Sequence, residues 1–238
     1  MGYGYGYGYG YGYGFDSGYV IALVISMVLG LAAQAYIKST YRKWSNVPAS
    51  IKGTGAEVAR RMLDAGGASN IGITRVGGSL TDYFDPRDEK LHLSDDNYRG
   101  ASVASLAVAC HEAGHAVQRA KGFSMYQLRT SLVPVVNFAQ QWWSLVLLAG
   151  VFLQTTGLVY VAILLYAATV VFSLVTLPVE IDASRRGVEF LRQNGSDIDQ
   201  AGARAVLRAA ALTYVAAALS SLVQLIYLLM RYGSRRRD

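Results

Sequence analysis

Four long apolar segments limit what this chain can fold into. Residues 19–36 carry no charged side chain, and comparable runs follow at 130–152, 157–177 and 209–230. Each run is close to the roughly 20 residues that a helix needs to cross the hydrocarbon core of a bilayer. Hydrophobic residues make up 53% of the chain and charged residues only 16%, as is typical of a membrane protein. We therefore predict a mainly α, polytopic membrane protein with about four transmembrane helices.

The remaining polar sequence is concentrated between the first and second apolar segments. One compact domain embedded among membrane helices is the simplest organisation for such a chain. The predicted layout is a Gly-Tyr low-complexity tail at 1–18, transmembrane helices at 19–37, 130–153, 157–178 and 209–230, a polar domain at 38–129, a connecting segment at 179–208 and a basic tail at 231–238.

Local patterns in the polar domain predict both helices and strands. Residues 54–64 have apolar side chains at helical spacing, and Gly66 and Gly67 favour the end of that helix. Two strands are predicted at 71–76 and 89–94, joined by a turn-rich link. The domain is therefore expected to be a small α+β unit.

The pattern His-Glu-x-x-His occupies residues 111–115 and contains two of the three histidines in the chain. It lies in a predicted helix at about 101–121. Since residues four apart lie on one face of a helix, His111 and His115 can bind one metal ion together. Glu112 lies roughly 100° round the helix from His111, near the metal but free for proton transfer. The pattern indicates a zinc hydrolase in which Glu112 is the catalytic base.

The sequence just before this pattern indicates that its helix is buried. Residues 101–110 are small and apolar, and burying two imidazoles and a carboxylate without partners is costly. A metal ion would supply the missing partner. A hydrogen-bonded histidine pair, or a site that has lost its metal, is the alternative interpretation.

A third metal ligand must come from outside the helix, because catalytic zinc usually has three protein ligands and a water. Glu180 is the best candidate, since it directly follows the third apolar segment, and ionisable groups at such positions are often functional. The alternative is a charged cluster that only ends the span and pairs with nearby arginines. The remaining histidine, His92, has no companion at ligand spacing and is expected to pack or face solvent.

Several motifs in order resemble a known family. They are Leu-Thr-Asp-Tyr-Phe-Asp-Pro at 80–86, Leu-Ser at 93–94, Val-Ala-Cys-His-Glu-Ala-Gly-His-Ala-Val-Gln at 108–118, and Leu-Pro-Val-Glu-Ile-Asp-Ala-Ser-Arg-Arg at 177–186. From about residue 37 to the last span, the chain is similar to the YugP-type membrane zinc metallopeptidases. The resemblance implies a zincin-like domain of the glutamate-ligand (gluzincin) class, which binds one catalytic Zn²⁺ through His111, His115 and Glu180.

The resemblance also raises the question of what supports the zinc-binding histidines. Ser184 occupies the position where relatives such as the HtpX proteases carry an aspartate for this purpose. Asp182 is the alternative support from a different angle, and Arg185 is a further neighbour of the site.

The predicted function is that of a membrane-embedded zinc metalloendopeptidase acting on protein or peptide substrates. Residues 90–93 are the candidate edge strand for pairing with an extended substrate backbone. A site-2-type intramembrane protease would take a ligand from a later Asp-Gly pair, and none follows His115. An FtsH protease would need a phosphate-binding loop, which is also absent from the sequence. A non-catalytic membrane scaffold with a structural or vestigial metal site remains the third alternative.

Basic residues predict the orientation and the partners of the chain. They follow the first span at 38–43 and the third at 185–192, which places the catalytic domain on the cytoplasmic side and leaves the basic tail outside. The net charge of +6 is concentrated beside the spans, where it favours anionic lipid headgroups over nucleic acid. Membrane lipid and protein substrates are the predicted partners, and the oligomeric state stays open.

Overall fold

The structure is a computed structural model that describes residues 17–233. The Gly-Tyr tail predicted at 1–18 and the basic tail predicted at 231–238 lie largely outside these residues. In chain order the elements are α1 (Ser17–Ser45), α2 (Gly55–Gly66), β1 (Gly72–Val76), β2 (Tyr83–Asp85), β3 (Lys90–Ser94), α3 (Asp95–Arg99), α4 (Val103–Ala120), α5 (Ser124–Phe152), α6 (Thr156–Asn194) and α7 (Asp197–Tyr232).

Four of the described helices, α1, α5, α6 and α7, are long and apolar enough to cross a membrane. Even the shortest has 29 residues, which at about 1.5 Å per residue exceeds the roughly 30 Å hydrocarbon core. Their apolar stretches expose large side chains such as Leu148 (66% exposed) and Leu164 (72%), a surface suited to lipid. The predicted fold class, a mainly α polytopic protein with a small sheet, is confirmed.

The long helices form antiparallel pairs that end at the polar domain. Short connections join α5 to α6 and α6 to α7, and α1 packs along α7. Tyr19, near the start of α1, lies 5.7 Å from Tyr227, near the end of α7, measured between ring centroids. These two helix ends therefore lie together, at the opposite end of the helices from the polar domain.

Local sequence explains where α2 begins and ends. Thr54 caps its amino terminus by accepting from the Glu57 N–H, and the Glu57 side chain accepts from the Thr54 N–H in return. At the other end Gly67 adopts a left-handed conformation with φ 79°, which glycine adopts without steric cost. The predicted helix and its glycine terminus match the structure.

The sheet has the order β1-β3-β2. β1 pairs with β3 in parallel, with Gly72 opposite Lys90, and β2 pairs with β3 antiparallel, with Phe84 opposite Leu91. The prediction that residues 90–93 form an edge strand is wrong, because β3 has a partner on each side. β2 is an edge strand instead, and it lies inside the segment predicted to be only a turn-rich link.

The core of the polar domain surrounds α4. Most α4 residues are buried, and the core includes Leu63 of α2, Leu91 of β3, Leu191 of α6 and Val206 of α7. The domain ends of α6 and α7 thus form part of its core. This packing brings the segment after the third span directly against the histidine helix.

A hydrogen-bond network fixes the loop that precedes β2. The Asp82 carboxylate accepts from the Ser94 backbone N–H at 2.7 Å and from Asn97 Nδ2 at 2.8 Å. The Tyr41 hydroxyl of α1 donates to Asn97 Oδ1 at 2.7 Å. The loop is therefore tied both to the sheet and to the first membrane helix.

Candidate metal centre

Helix α4 presents both histidines to one carboxylate on α6. His111 Nε2 lies 3.3 Å, and His115 Nε2 3.6 Å, from Glu180 Oε2. The ligand atoms of all three residues lie within 4.8 Å of one another, and all three side chains are buried. Within residues 17–233, this is the group of histidine, cysteine and acidic side chains that is close enough to hold a metal ion.

The donor atoms of this group suit zinc. Glu180 is only 2% exposed, and its Oε2 is buried with no hydrogen-bond partner among the described residues. An ionised carboxylate buried in this way needs a counter-charge, which a cation between the three side chains would supply. Two imidazole nitrogens and one carboxylate oxygen form a ligand set of catalytic zinc sites, with a fourth position left open.

Small residues allow α4 and α6 to approach closely at this point. A Cβ atom at Gly114 would lie 2.7 Å from the Ala183 carbonyl oxygen, and one at Gly187 would lie 3.2 Å from the Cys110 backbone. The two glycines are thus in near-contact with the facing helix. This close packing places Glu180, on the same stretch of α6, beside the histidines.

A buried relay of polar side chains orients His115. Its Nδ1 lies 3.0 Å from Gln118 Oε1, so Nδ1 carries the proton and Nε2 turns its lone pair toward Glu180. Gln118 Nε2 donates in turn to the Val179 carbonyl at 2.7 Å and to Asp182 Oδ2 at 2.9 Å. Asp182 also accepts from Arg186 Nε at 2.6 Å. The relay joins α4 to α6 on the side away from the ligand atoms.

His111 has a different support. Its Nδ1 lies 3.1 Å from the Ser184 hydroxyl oxygen, which can accept a hydrogen bond from the Nδ1–H group. Of the further neighbours named from the sequence, Ser184 therefore contacts His111, and Asp182 reaches His115 only through Gln118. Arg185 interacts electrostatically with Glu189, on the following turn of α6.

Glu112 is separate from the three clustered side chains and faces an adjoining cleft of about 220 Å³. Loss of hydration raises the pKa of Glu112, the charges of Glu180 and Asp82 act in the same direction, and the two histidines oppose them. The carboxylate is thus a stronger base than an ordinary glutamate. The other residues lining the cleft are Gln34 and Ile37 of α1, Leu80 and Asp82 of the loop, Val108 and His111 of α4, and Val206, Leu207, Ala210, Thr213 and Tyr214 of α7.

Two other residues near the motifs lie outside the group. Cys110 lies in the hydrophobic core, where burial raises the pKa of its thiol to about 12. His92 stacks on Tyr83 with ring centroids 4.4 Å apart, and its Nε2 lies 2.9 Å from Asp88 Oδ2. Both are packing residues, and for His92 this agrees with the expectation from the sequence.

Comparison with known proteins places this chain in a family. Residues 19–233 match the model of the family described as "Putative neutral zinc metallopeptidase". A Bacillus subtilis (strain 168) protein named "Putative membrane protease YugP" is 40% identical over 222 residues, which are 92% of this chain and 99% of that relative. The chain belongs to the YugP-type family of zinc metallopeptidases. No solved structure matches it.

The resemblance drawn from the ordered motifs is thereby confirmed, and the structure adds site residues to the YugP-type motifs. The sequence motif contains Gln118 but did not predict its contact with His115. Its position three residues after His115 places both on one helix face. Tyr214 of α7 has no local signal in the sequence. Only the packing of α7 against α4 and α6 brings Tyr214 to the cleft.

Proposed function

We propose that this chain is a membrane-embedded, zinc-dependent metalloendopeptidase that hydrolyses peptide bonds of protein substrates at the membrane surface. The observation that carries the proposal is the buried group His111, His115 and Glu180 beside a further carboxylate, Glu112, that faces a cleft. Three protein ligands leave a coordination position open, as in catalytic zinc sites, whereas structural sites are closed by four. Membership of the YugP-type family supports the same chemistry.

The chain's own residues account for binding and for proton transfer. When bound, one Zn²⁺ ion would supply Lewis-acid chemistry, by lowering the pKa of a water molecule and polarising the scissile carbonyl. Glu112 takes a proton from the attacking water as the new C–O bond forms. It then delivers that proton to the amine nitrogen as the C–N bond breaks. The raised pKa of Glu112 suits both steps, because the carboxylate must hold the proton between them.

We infer from the position of the cleft that substrates arrive along the membrane surface. Its walls include Ile37 of α1 and Ala210 of α7, and both helices are candidate spans. Leu80 and Asp82, just before β2, line the same cleft. Because β2 is an edge strand that directly follows these cleft residues, we assign the extended substrate backbone to β2 instead of β3.

The catalytic domain is proposed to face the cytoplasm. Lys38, Arg42 and Lys43 lie at the domain end of α1, where the positive-inside rule favours the cytoplasmic side. The α6–α7 connection lies at the same end and follows Arg185, Arg186 and Arg192. With four crossings, the end of α7 lies on the opposite side.

Replacement of Glu112 by Gln tests the proposed function. Gln keeps the size of the side chain but cannot accept the proton, so cleavage of a quenched fluorescent peptide library by detergent-solubilised protein should fall by about 10²–10⁴-fold. The zinc content should remain that of the wild type, because Glu112 is not among the ligands. Glu189→Gln, which changes an exposed glutamate on α6, is the matched control and should retain full activity. Unchanged cleavage by Glu112→Gln would refute the assignment.

A further inference from the structure

The cleft beside Glu112 has a polar residue on its α7 wall that the mechanism above does not use. Tyr214 lines the same cavity as His111 and Glu112. Its hydroxyl faces the Glu180 carboxylate and lies in the electrostatic field of Glu112. The tyrosine hydroxyl therefore lies on the cleft wall beside both Glu112 and the candidate metal ligand Glu180.

Helix geometry explains why Tyr214 on α7 lies at the same depth as Glu180 on α6. Glu180 lies about 21 Å before the end of α6, and Tyr214 about 26 Å after the start of α7, at roughly 1.5 Å per residue. Because the two helices are antiparallel and joined by a short turn, the two residues lie at nearly the same depth. Tyr214 is thus fixed by a rigid helix, as an electrostatic catalyst must be.

An arginine side chain, Arg129, also influences Tyr214. Arg129 of α5 acts electrostatically on Tyr214, more weakly than the carboxylates of Glu180 and Glu112 do. Its Nε is buried and has no hydrogen-bond partner within residues 17–233. The charge of Arg129 partly offsets the two carboxylates and favours negative charge that develops close to the Tyr214 hydroxyl.

The geometry points to Tyr214 as a second catalytic residue, whose hydroxyl donates a hydrogen bond to the oxygen of the scissile carbonyl as that oxygen becomes negative. This inference rests on the proposed peptidase function and deepens it. The hydroxyl keeps its own proton throughout. Proton transfer from water to the leaving amine stays with Glu112, so the bonds formed and broken are unchanged.

Tyr214→Phe tests the inference, because it removes the donor and retains the ring. Loss of one such donor lowers kcat by about 10²–10³-fold, while KM for the same quenched peptide should change by less than about threefold. The affinity for a phosphonamidate peptide, which mimics the tetrahedral state, should fall in parallel with kcat. Zinc content should be unchanged. Tyr160→Phe is the matched control: it lies on α6 about 30 Å from Glu180, at roughly 1.5 Å per residue, and should behave as the wild type.

Each contrary outcome has a distinct meaning. A normal kcat in Tyr214→Phe, alongside an inactive Glu112→Gln variant, would overturn the inference and leave the peptidase function standing. A raised KM with normal kcat would overturn the inference and show that Tyr214 binds the substrate instead. Loss of zinc would overturn it and show that Tyr214 positions the ligand Glu180. Absence of cleavage by the wild-type protein would overturn the proposed function together with the inference.

Discussion

The two histidines of the candidate centre are supported by neutral side chains. His111 Nδ1 meets the Ser184 hydroxyl, at the position where the HtpX-type resemblance places an aspartate. His115 Nδ1 meets the Gln118 amide oxygen, and the carboxylate of Asp182 acts one residue further away. Such outer partners fix the ring orientation and the tautomer of a metal-binding histidine. Of these two supporting residues, Gln118 makes the more extensive contacts, because it also donates hydrogen bonds to Val179 and Asp182 of α6.

Gln118→Met separates this support from simple packing. Methionine has nearly the same length and volume but neither accepts from His115 nor donates to α6. The affinity for zinc should fall by about 10–100-fold, measured by competition with a chromogenic chelator in detergent. Gln193→Met, at an exposed glutamine of α6 bonded to Glu189, is the control and should leave the affinity unchanged. Wild-type affinity in Gln118→Met would show that packing alone orients the His115 ring.

Among the helices and strands, the sequence predicted those features that short-range patterns determine. The apolar runs located the long helices, the Thr54 capping box and Gly67 bounded α2, and the histidine spacing placed two side chains on one face of α4. Glu180 was found because an acidic residue directly after a span is unusual. Each of these signals lies within one element.

Features set by non-local packing were not predictable in this way. β2 has only three residues, and its pairing with β3 decides its conformation, so the local sequence was read as a link. The same pairing makes β3 central and overturns its assignment as an edge strand. Tyr214 and the close approach of Gly114 to Ala183 depend on how α4, α6 and α7 pack together, which no single segment encodes.

For the whole molecule, the arrangement of the long helices bears on the proposed orientation in the membrane. The start of α1 and the end of α7 lie together, at the opposite end of the long helices from the polar domain. With the domain in the cytoplasm, as proposed, the basic residues at the domain end of the helices would obey the positive-inside rule and the tail would not. The short basic tail is outweighed by the basic residues of two loops.

Cysteine labelling in intact cells tests this orientation. A membrane-impermeant maleimide should not react with Ser69→Cys in the catalytic domain and should react with Thr156→Cys at the α5–α6 connection. Both positions are exposed, and the native Cys110 stays unlabelled because it is buried with a raised thiol pKa. The reverse labelling pattern would place the domain outside the cell.

We infer that His111, His115 and Glu180 hold one zinc ion. Its most direct test is the metal content of protein purified by size exclusion, measured by mass spectrometry for the wild type, Glu180→Ala and the matched control Glu189→Ala. About one zinc per chain is expected in the wild type and the control, and less than about a tenth of that in Glu180→Ala, because two histidines alone bind the ion weakly. A full complement of zinc in Glu180→Ala would contradict it.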